Sequence, residues 1–421
     1  MLMLSSTLRA ALRSPLLPCW LIPALLPWGR SAEIGTLLCA AGAVWLWRRR
    51  PAQAEPAARL WLGLCGAYLL AAVLSVPLSL HPGRTALVCL GLLRYLPLGL
   101  YIGWVLATVG RLHALYTATA LLVLVWCLDA WLQMACGWSL GGAAEADRIT
   151  GIFGAGNLKL GPVLAALAPF VLWLGQRVWG WRGMLAGWLL VAGPVVLSGA
   201  RSAWIVLALV GLLFCWRAVR SWRHMASVLI LAGGLAAVFA AVGWQVSPRF
   251  HARAERSLQL LDGSRQGLDT ALTGRVEIWS TAARMVAAHP WTGVGVREFR
   301  HAYPAYAAAD DRFVGIERCG PGQGACHPHQ WMLEVLTETG LLGALCWLAA
   351  VALAWRCWRQ RPPPRRGLAF PATVAVVAVW FPGNTHLAFY SAWWGLLSAW
   401  LLAVWCASLY VTGPGDDDGD V

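Results

Sequence analysis

The sequence predicts an all-α polytopic membrane protein, because of its composition and the length of its apolar segments. Hydrophobic residues make up 59% of the 421 residues, 12% are charged and 28 residues are tryptophan. A soluble globular domain is more polar than this. Apolar segments of about 15 to 25 residues recur from end to end, which is the length that a helix needs to cross a bilayer. Strands of a transmembrane barrel would instead appear as alternating segments of about ten residues.

About twelve membrane-spanning helices are predicted from these segments. The first is expected to stay in the mature protein, because it is rich in proline and lacks a small-residue cleavage site. The predicted spans are 15–29, 32–47, 60–79, 86–109, 112–136, 158–175, 183–198, 202–217, 225–245, 331–355, 368–381 and 387–411.

The spans divide the chain into four parts. Two groups of helices flank a large loop region in which short helices are expected, and a polar tail follows the last span. The parts are helices 1 to 9 at residues 1–245, the loop region at 246–330, helices 10 to 12 at 331–411 and a disordered cytoplasmic tail at 412–421.

Arginine placement predicts which connections face the cytoplasm, since cytoplasmic loops carry an excess of basic residues. The clusters fall on alternate connections, so both termini are expected inside and the loop region outside. The net charge of +14 is then explained by cytoplasmic loops that contact anionic membrane lipids. Nothing in the chain resembles a nucleic-acid-binding module. The clusters are Arg9 with Arg13, Arg48 to Arg50 with Arg59, Arg111, Arg177 with Arg182, Arg217 with Arg220 and Arg223, and Arg356 to Arg366.

Arg275 is a candidate anion ligand within the loop region, whereas most other arginines there are expected to be solvated surface residues with local ion pairs. An amphipathic helix opens here, capped by Thr273 or Gly274, and stops near residue 289. Arg275 lies in its first turn, where free backbone N–H groups attract anions. A salt-bridged surface residue is the alternative. The predicted apolar stripe is Val276, Trp279, Ala283 and Val286.

Three arginines outside the loop region are further candidates for the same ligand. Arg201 lies in a tight outer turn between two apolar helices, where it reaches a lipid phosphate or merely snorkels to the interface. Arg94 lies within a span and Arg84 at the outer end of the same span. Ionisable residues at membrane depth are functional candidates by default.

A histidine pair stands where the loop region meets the tenth predicted span. His327-Pro328-His329 precedes the apolar helical pattern, which puts a side chain that titrates near neutral pH at the water boundary. Pro328 keeps the segment extended, so the two rings are expected to point to different faces. Gly340 and Gly343 are interpreted as close-packing positions in the first turns of the following helix.

Two cysteines bracket the turn-rich segment before this pair. If the loop lies outside the cytoplasm, Cys319 and Cys326 are in an oxidising compartment, and a disulfide between them is predicted. A zinc site that combines these cysteines with His327 and His329, and with His386 or Asp129 as open further partners, is the competing interpretation, but the spacing of the Cys and His residues does not match a common zinc pattern. We therefore expect a metal-free site.

In three motifs the chain resembles the bacterial O-antigen ligases, which belong to a membrane superfamily with O-antigen polymerases and O-linked oligosaccharyltransferases. The motifs are Ser-Gly-x-Arg-Ser at Ser198 to Ser202, Gly-Arg-x-x-x-Trp at Gly274 to Trp279 followed by His-Pro-x-x-Gly-x-Gly at His289 to Gly295, and His-Gln with Gly-Leu-Leu-Gly nine residues later, from His329 to Gly343.

The resemblance implies a fold like that of the GT-C membrane glycosyltransferases, which use polyprenyl-linked donors. It implies transfer of a polysaccharide from undecaprenyl pyrophosphate to a sugar hydroxyl of lipid A-core, at the periplasmic face of the inner membrane. No cofactor, metal or nucleotide is expected for such a reaction.

The residue chemistry suits this reaction, which needs a base for the acceptor hydroxyl and cations for the departing pyrophosphate. We assign the base to His329 and the cations to Arg201 and Arg275. Arg84, Arg94 and His327 are assigned to substrate binding. Attack by a base-activated hydroxyl, with no second carboxylate nucleophile evident, would invert the anomeric configuration.

Two other functions stay open. An O-antigen polymerase would use the same donor and the same arginine and histidine chemistry, although the His-Gln form with its glycine spacing favours a ligase. A lipid-linked glycan transporter without chemistry is the alternative from another class. A transporter should show broken or charged helices at mid-membrane and an internal repeat, whereas only Arg94 and Asp129 are clear ionisable residues inside spans.

Overall fold

The structure, a computed structural model, describes residues 14–145, 148–218, 274–315 and 319–412, with scattered positions between 219 and 273. The ninth predicted span at 225–245, the first part of the loop region and the predicted tail after residue 412 therefore fall largely outside the described residues.

Regular structure in the described part of the chain is almost entirely α-helical, which confirms the predicted fold class. Its one sheet there is a short antiparallel hairpin of β1 (Trp138–Ser139) and β2 (Gly142–Ala143). The helices are α1 (Leu17–Ala24), α2 (Glu33–Leu46), α3 (Glu55–Leu74), α4 (Pro82–Leu92), α5 (Tyr95–Val105), α6 (Val109–Cys136), α7 (Leu160–Leu197), α8 (Arg201–Ala218), α9 (Arg275–Ala288), α10 (Phe299–Tyr306), α11 (Trp331–Gln360), α12 (Pro363–Trp380) and α13 (Ala392–Ser408).

Six helical segments among the described residues are long and apolar enough to cross a membrane, so the chain is a multi-pass membrane protein. The first predicted span is instead the short helix α1 followed by a 3-10 segment, Leu26–Ala32, that is kinked at Trp28 and Gly29. Its prolines explain the difference, because proline lacks the N–H that a continuous helix needs. The six segments are Ala52–Leu74, Pro82–Val105, Val109–Cys136, Leu160–Leu197, Arg201–Ala218 and Trp331–Gln360.

Helix α7 is a hairpin of two helices, as the two spans predicted at 158–175 and 183–198 require. The chain leaves helical geometry at Trp179 and Gly180, where Gly180 has φ +61°. Beyond this turn Gly183 packs directly on Gly175, and a β-carbon on either glycine would overlap the carbonyl of the other. The close approach of the two backbones explains why both positions are glycine.

The main core lies between the membrane helices. Helix α11 packs on α3, α7 packs on α6 and α8, and α13 packs against α5 and α12. Large aromatic side chains fill this core, among them the fully buried Trp61, Trp126 and Trp400. This packing fixes the helix ends from which the loops of the site emerge.

The loop region has a small hydrophobic core of its own, where α9 meets α10. Ile278, Ala282 and Met285 of α9 are buried with Phe299 and Tyr303 of α10. The predicted apolar stripe of α9 was wrong, since Ala283 is exposed and the buried face is rotated towards α10. The buried face of α9 is determined by its contact with α10, and the sequence pattern of α9 alone does not specify that contact.

Helix α11 breaks at Gly340, where the sequence predicted one continuous span. Gly340 has φ +63° and ψ −159°, so residues 331–339 form a separate short helix before the long membrane segment. The loop after α9 fills the break: the N–H of Leu341 donates to the carbonyl of Pro290 at 2.8 Å, and the N–H of Val294 donates to that of Thr337 at 2.8 Å.

The glycines of two sequence motifs interlock at this break. A β-carbon on Gly293 would lie 2.5 Å from the carbonyl oxygen of Thr337, and one on Gly340 would overlap the carbonyl of Trp291. Gly343 packs on the side chain of Thr339. Close packing was the predicted role of Gly340 and Gly343, but Gly340 also supplies the left-handed backbone that ends the short helix.

Candidate functional site

Arg275 is the first residue of α9, and Gly274 precedes it in a left-handed conformation with φ +82°. The half-buried guanidinium has no hydrogen bond and no carboxylate within 4 Å among the described residues. Burial and, to a smaller extent, the nearby charge of Arg201 lower the pKa of Arg275 to about 10. A bound anion would stabilise this arginine, because it would offset both the desolvation of the guanidinium and the repulsion from Arg201.

Arg201 is the first residue of α8, after a turn in which Gly199 has φ +80°. This is the tight turn that the sequence predicted. The next residue, Ser202, forms a hydrogen bond with His386, with 2.8 Å between Oγ and Nδ1. The first turn of α8 is thereby attached to the loop between α12 and α13.

His329 lies against that same loop. Its Nδ1 is 3.3 Å from the carbonyl oxygen of Thr385. A carbonyl oxygen only accepts hydrogen bonds, so Nδ1 carries the proton and Nε2 keeps a free lone pair. Nε2 is therefore the atom of His329 that can take a proton from a substrate.

The rings of His327 and His329 are adjacent, which contradicts the expectation that they point to different faces. Their centroids are 4.0 Å apart, and the N–H of His329 donates to Nδ1 of His327 at 3.2 Å. The backbone explains this, because His329 has φ +54° and turns the chain back on itself after Pro328. The prediction took the backbone to be extended at His329 as well as before Pro328.

Burial and positive neighbours keep the histidines of the site neutral. Desolvation, followed by the charge of Arg275, lowers the pKa of His329 to about 4. The same two causes, with a further contribution from His329, lower the pKa of His386 to about 3. Desolvation and then His329 also lower the pKa of His327. At neutral pH each ring is therefore uncharged, and His329 is available as a base.

Two of the predicted substrate-binding residues, Arg94 and Arg84, contact residues outside the group of Arg275 and His329. Arg94 forms an ion pair with Glu33, at 3.1 Å, and its guanidinium lies over the ring of Tyr95. Arg84 is exposed at the N-terminal end of α4 and contacts Nε2 of His301 on α10. The structure brings together Arg201, Arg275, His327 and His329, whereas Arg94 is paired with Glu33 and Arg84 lies beside His301.

Cys319 and Cys326 form a disulfide, with 5.5 Å between their α-carbons. The bridge closes the turn that leads directly to His327. Of the described residues, no three His, Cys, Asp or Glu side chains converge as a possible metal site.

Two buried carboxylates hold the loops around the histidines. Glu334 accepts hydrogen bonds from the N–H groups of Phe389, at 2.8 Å, and Tyr390, at 3.1 Å. Glu338 accepts one from the N–H of Arg297 at 2.8 Å. Both glutamates lie on the short first part of α11, so this helix positions the loop that carries His386 and the loop that carries Arg297.

The predicted catalytic and substrate-binding residues did not include Ser202, His386, Arg297 and Arg300. His386 lies on the same predicted outer face as His329, in the connection between the last two spans, and that shared face was the available signal. Arg297 and Arg300 had no local signal that distinguishes them from the other arginines of the loop region.

An apolar cavity of about 460 Å³ lies in the membrane part of the protein, between α3, α11, α12 and α13. It extends along α11 from Gly343 to Trp358, which is about 22 Å at 1.5 Å per residue. Val351 and Trp355 line it and are 39% and 60% exposed, so the cavity reaches the lipid-facing surface. At one end it is lined by Phe389 and by other residues in or next to the loop that carries His386.

Comparison with known proteins gives two matches. Residues 185–348 match a family model described as O-antigen ligase, and this stretch includes Arg201, Arg275, His327 and His329. A curated O-antigen ligase from Pseudomonas aeruginosa is 29% identical over 149 residues, which cover 34% of this chain and 33% of that protein. The match thus spans about a third of the relative's length. These two matches support membership of the O-antigen ligase superfamily, which the three motifs predicted.

Proposed function

We propose that this protein is an O-antigen ligase that transfers a glycan from undecaprenyl pyrophosphate to a sugar hydroxyl of lipid A-core. The observation that carries the proposal is the proximity of an uncharged histidine, His329, to the half-buried guanidinium of Arg275, which has no ion pair with any residue that the structure describes. A base and a cation in one site are what the displacement of a diphosphate by an alcohol requires.

In the proposed step, the acceptor oxygen forms a bond to the anomeric carbon while the bond from that carbon to the phosphate oxygen breaks. The proton of the acceptor hydroxyl goes to Nε2 of His329. The electron pair of the broken bond leaves with the diphosphate, whose negative charge Arg275 and Arg201 compensate. A single displacement of this kind inverts the anomeric configuration and needs no metal or cofactor.

The apolar cavity suits the hydrocarbon part of such a donor. It is open to lipid at Val351 and Trp355, and one end of it lies beside the loop that carries His386. A prenyl chain that enters from the bilayer would therefore have its diphosphate near the histidines. Burial of apolar surface on both partners favours this arrangement.

The proposed location is the bacterial inner membrane, with the site facing the periplasm and with membrane lipids, the lipid-linked glycan and lipid A-core as partners. The alternation of arginine clusters along the chain supports this orientation. The disulfide between Cys319 and Cys326 also agrees with a loop in an oxidising compartment.

The second candidate is an O-antigen polymerase, because the same base and cations would serve an acceptor that is itself lipid-linked. A deletion strain distinguishes the two: loss of a ligase leaves long polymer on undecaprenyl pyrophosphate, and loss of a polymerase leaves single repeats. A transporter without chemistry would give no transfer by intact purified protein.

The deciding experiment measures glycan transfer to lipid A-core by the purified full-length protein in detergent, without ATP. We expect His329→Ala and Arg275→Ala to lower kcat/KM by roughly 10² or more, the usual contribution of a positioned base or of a charge stabiliser. Arg59→Ala is the control, because Arg59 is exposed and its ion pair is with Glu55, away from the site. Undiminished transfer by folded His329→Ala protein would remove the mechanism.

A further inference from the structure

We infer that Arg297 and Arg300 form a second anion-binding site, which holds a phosphate or similar oxyanion of the acceptor glycolipid. The assignment to the acceptor rests on the proposed function. The anion site itself rests on backbone geometry, on unpaired charge and on position next to the histidines.

The backbone of Arg297 is the first observation. Arg297, with φ +65°, and His329, with φ +54°, are the two non-glycine residues in the left-handed region within the described part of the chain. Glycine adopts this conformation without cost, whereas a residue with a β-carbon does not. Residues held in such conformations cluster at functional sites, and His329 is already assigned to one. The side chain at position 297 therefore has a role that glycine could not fill.

Hydrogen bonds at Arg297 and at the next residue, Glu298, hold the backbone in this conformation. Glu338 accepts a hydrogen bond from its N–H at 2.8 Å. The next residue, Glu298, is fully buried and lies 2.8 Å from Nδ1 of His81. The carboxylates of Glu338 and Glu298 are thus occupied in fixing the loop, and neither forms an ion pair with the Arg297 guanidinium.

The second observation is that both guanidinium groups lack a partner. Neither Arg297 nor Arg300 has a side-chain hydrogen bond or a carboxylate within 4 Å among the described residues, although both side chains are half-buried. Burial and the charge of Arg297 lower the pKa of Arg300, and the buried carboxylates of Glu338 and Glu334 oppose this only in part. Two half-buried arginines that repel each other are stabilised by an oxyanion that bridges them.

Position identifies the acceptor as the source of that anion. Arg297 and Arg300 both lower the pKa of His327, whose ring lies beside that of His329, so the pair is close to the base. Arg84 adds its charge at Arg300 and is exposed at the N-terminal end of α4. The basic surface thus runs from the base towards the membrane edge, where the head group of an acceptor glycolipid would lie.

The test uses Arg297→Gly, which removes the guanidinium and also relieves the left-handed backbone, so the variant should fold. We expect the KM for phosphorylated lipid A-core to rise at least about tenfold, with the KM for the donor unchanged. Arg300→Gln should act in the same direction. Arg312→Gln is the matched control, because Arg312 lies in the same region and is already paired with Asp269 and Glu277.

Binding of the acceptor alone separates this inference from the proposed function. Wild-type protein should bind phosphorylated lipid A-core at least about tenfold more tightly than enzymatically dephosphorylated lipid A-core, and Arg297→Gly should lose the difference. That result would support the site even if no glycan transfer occurred. A rise in donor KM instead would assign the pair to the donor's diphosphate and overturn the acceptor assignment. Equal binding of both acceptors by the wild type would overturn the site.

Discussion

Ser202 and His386 form a hydrogen bond, with 2.8 Å between Oγ and Nδ1, although 184 positions separate them in the chain. Ser202 directly follows Arg201, and the residue before His386, Thr385, presents its carbonyl to His329. The hydrogen bond therefore links the α8 arginine to the proposed base through one loop. We interpret Ser202 and His386 as positioning residues that keep Arg201 and His329 at a fixed distance from each other.

Removal of this link should lower activity without unfolding the protein. We expect Ser202→Ala to reduce kcat by about tenfold, because a single neutral hydrogen bond contributes about 1 kcal/mol and misplacement adds to its loss. His386→Ala should act similarly. Ser408→Ala is the control, since Ser408 is also buried but bonds to the carbonyl of Trp405 within helix α13 and not to a residue of the site. Steady-state kinetics with unchanged kcat for Ser202→Ala would contradict the interpretation.

The pH dependence should reflect the low pKa of His329, about 4. The base must be unprotonated to act, so kcat/KM should stay level as the pH falls through 6.5, where a free histidine titrates, and should drop only towards 4. At high pH, activity should fall as Arg275, with a pKa of about 10, loses its charge. Burial also lowers the pKa of His327, which lies near Arg297 and Arg300, and that of His386, which lies near Arg275, so both rings are uncharged over this range.

The Arg275→Gln variant tests the electrostatic part of the low pKa of His329. Burial is the larger cause and remains in the variant, whereas the positive charge that also disfavours protonation is removed, so the acid limb of the residual activity should move towards higher pH. A pH–rate profile of the variant beside the wild type measures this shift. An acid limb that stays in place would mean that His329 is not the group that titrates.

Gly340→Ala should destabilise the protein strongly. Gly340 has φ +63°, and a β-carbon there would overlap the carbonyl of Trp291. We expect the free energy of unfolding to fall by more than about 1 kcal/mol, together with loss of activity, since the loop after α9 would be displaced. Gly110→Ala is the control, because Gly110 lies in helix α6 with open space around its α-carbon. Thermal denaturation in detergent compares the two, and equal Tm values would argue against the interlock.

Filling the apolar cavity should impair only long-chain donors. Ala350 lines the cavity, whereas Ala352, on the same helix, is exposed and does not. We expect Ala350→Phe to lower kcat/KM for the undecaprenyl donor by about tenfold and to leave a short-chain prenyl donor unaffected, since only the long chain buries apolar surface in the cavity. Ala352→Phe should behave as wild type with both donors. An equal loss for both donors with Ala350→Phe would point to a general defect.

The helical class and most spans could be predicted because hydropathy over 15 to 25 residues depends on local sequence alone. The return of α7 at Gly180 was foreseen as two spans separated by arginines. The break of α11 at Gly340 was not foreseen, because its cause is the loop at residues 290–295, which inserts from a distant part of the chain. Glycine permits such a break but does not by itself require one.

The sequence by itself determined the chemistry of this protein: a membrane environment, a histidine at the end of the loop region, and arginines in two motifs. Residue type and spacing carry that information, because apolar length, charge and proton affinity are local properties. Only the tertiary structure decided which of 33 basic residues face His329 and which, like Arg94, are paired elsewhere. Pairing, burial and the left-handed backbone at Arg297 depend on contacts between segments far apart in the chain, and those contacts exist only in the folded protein.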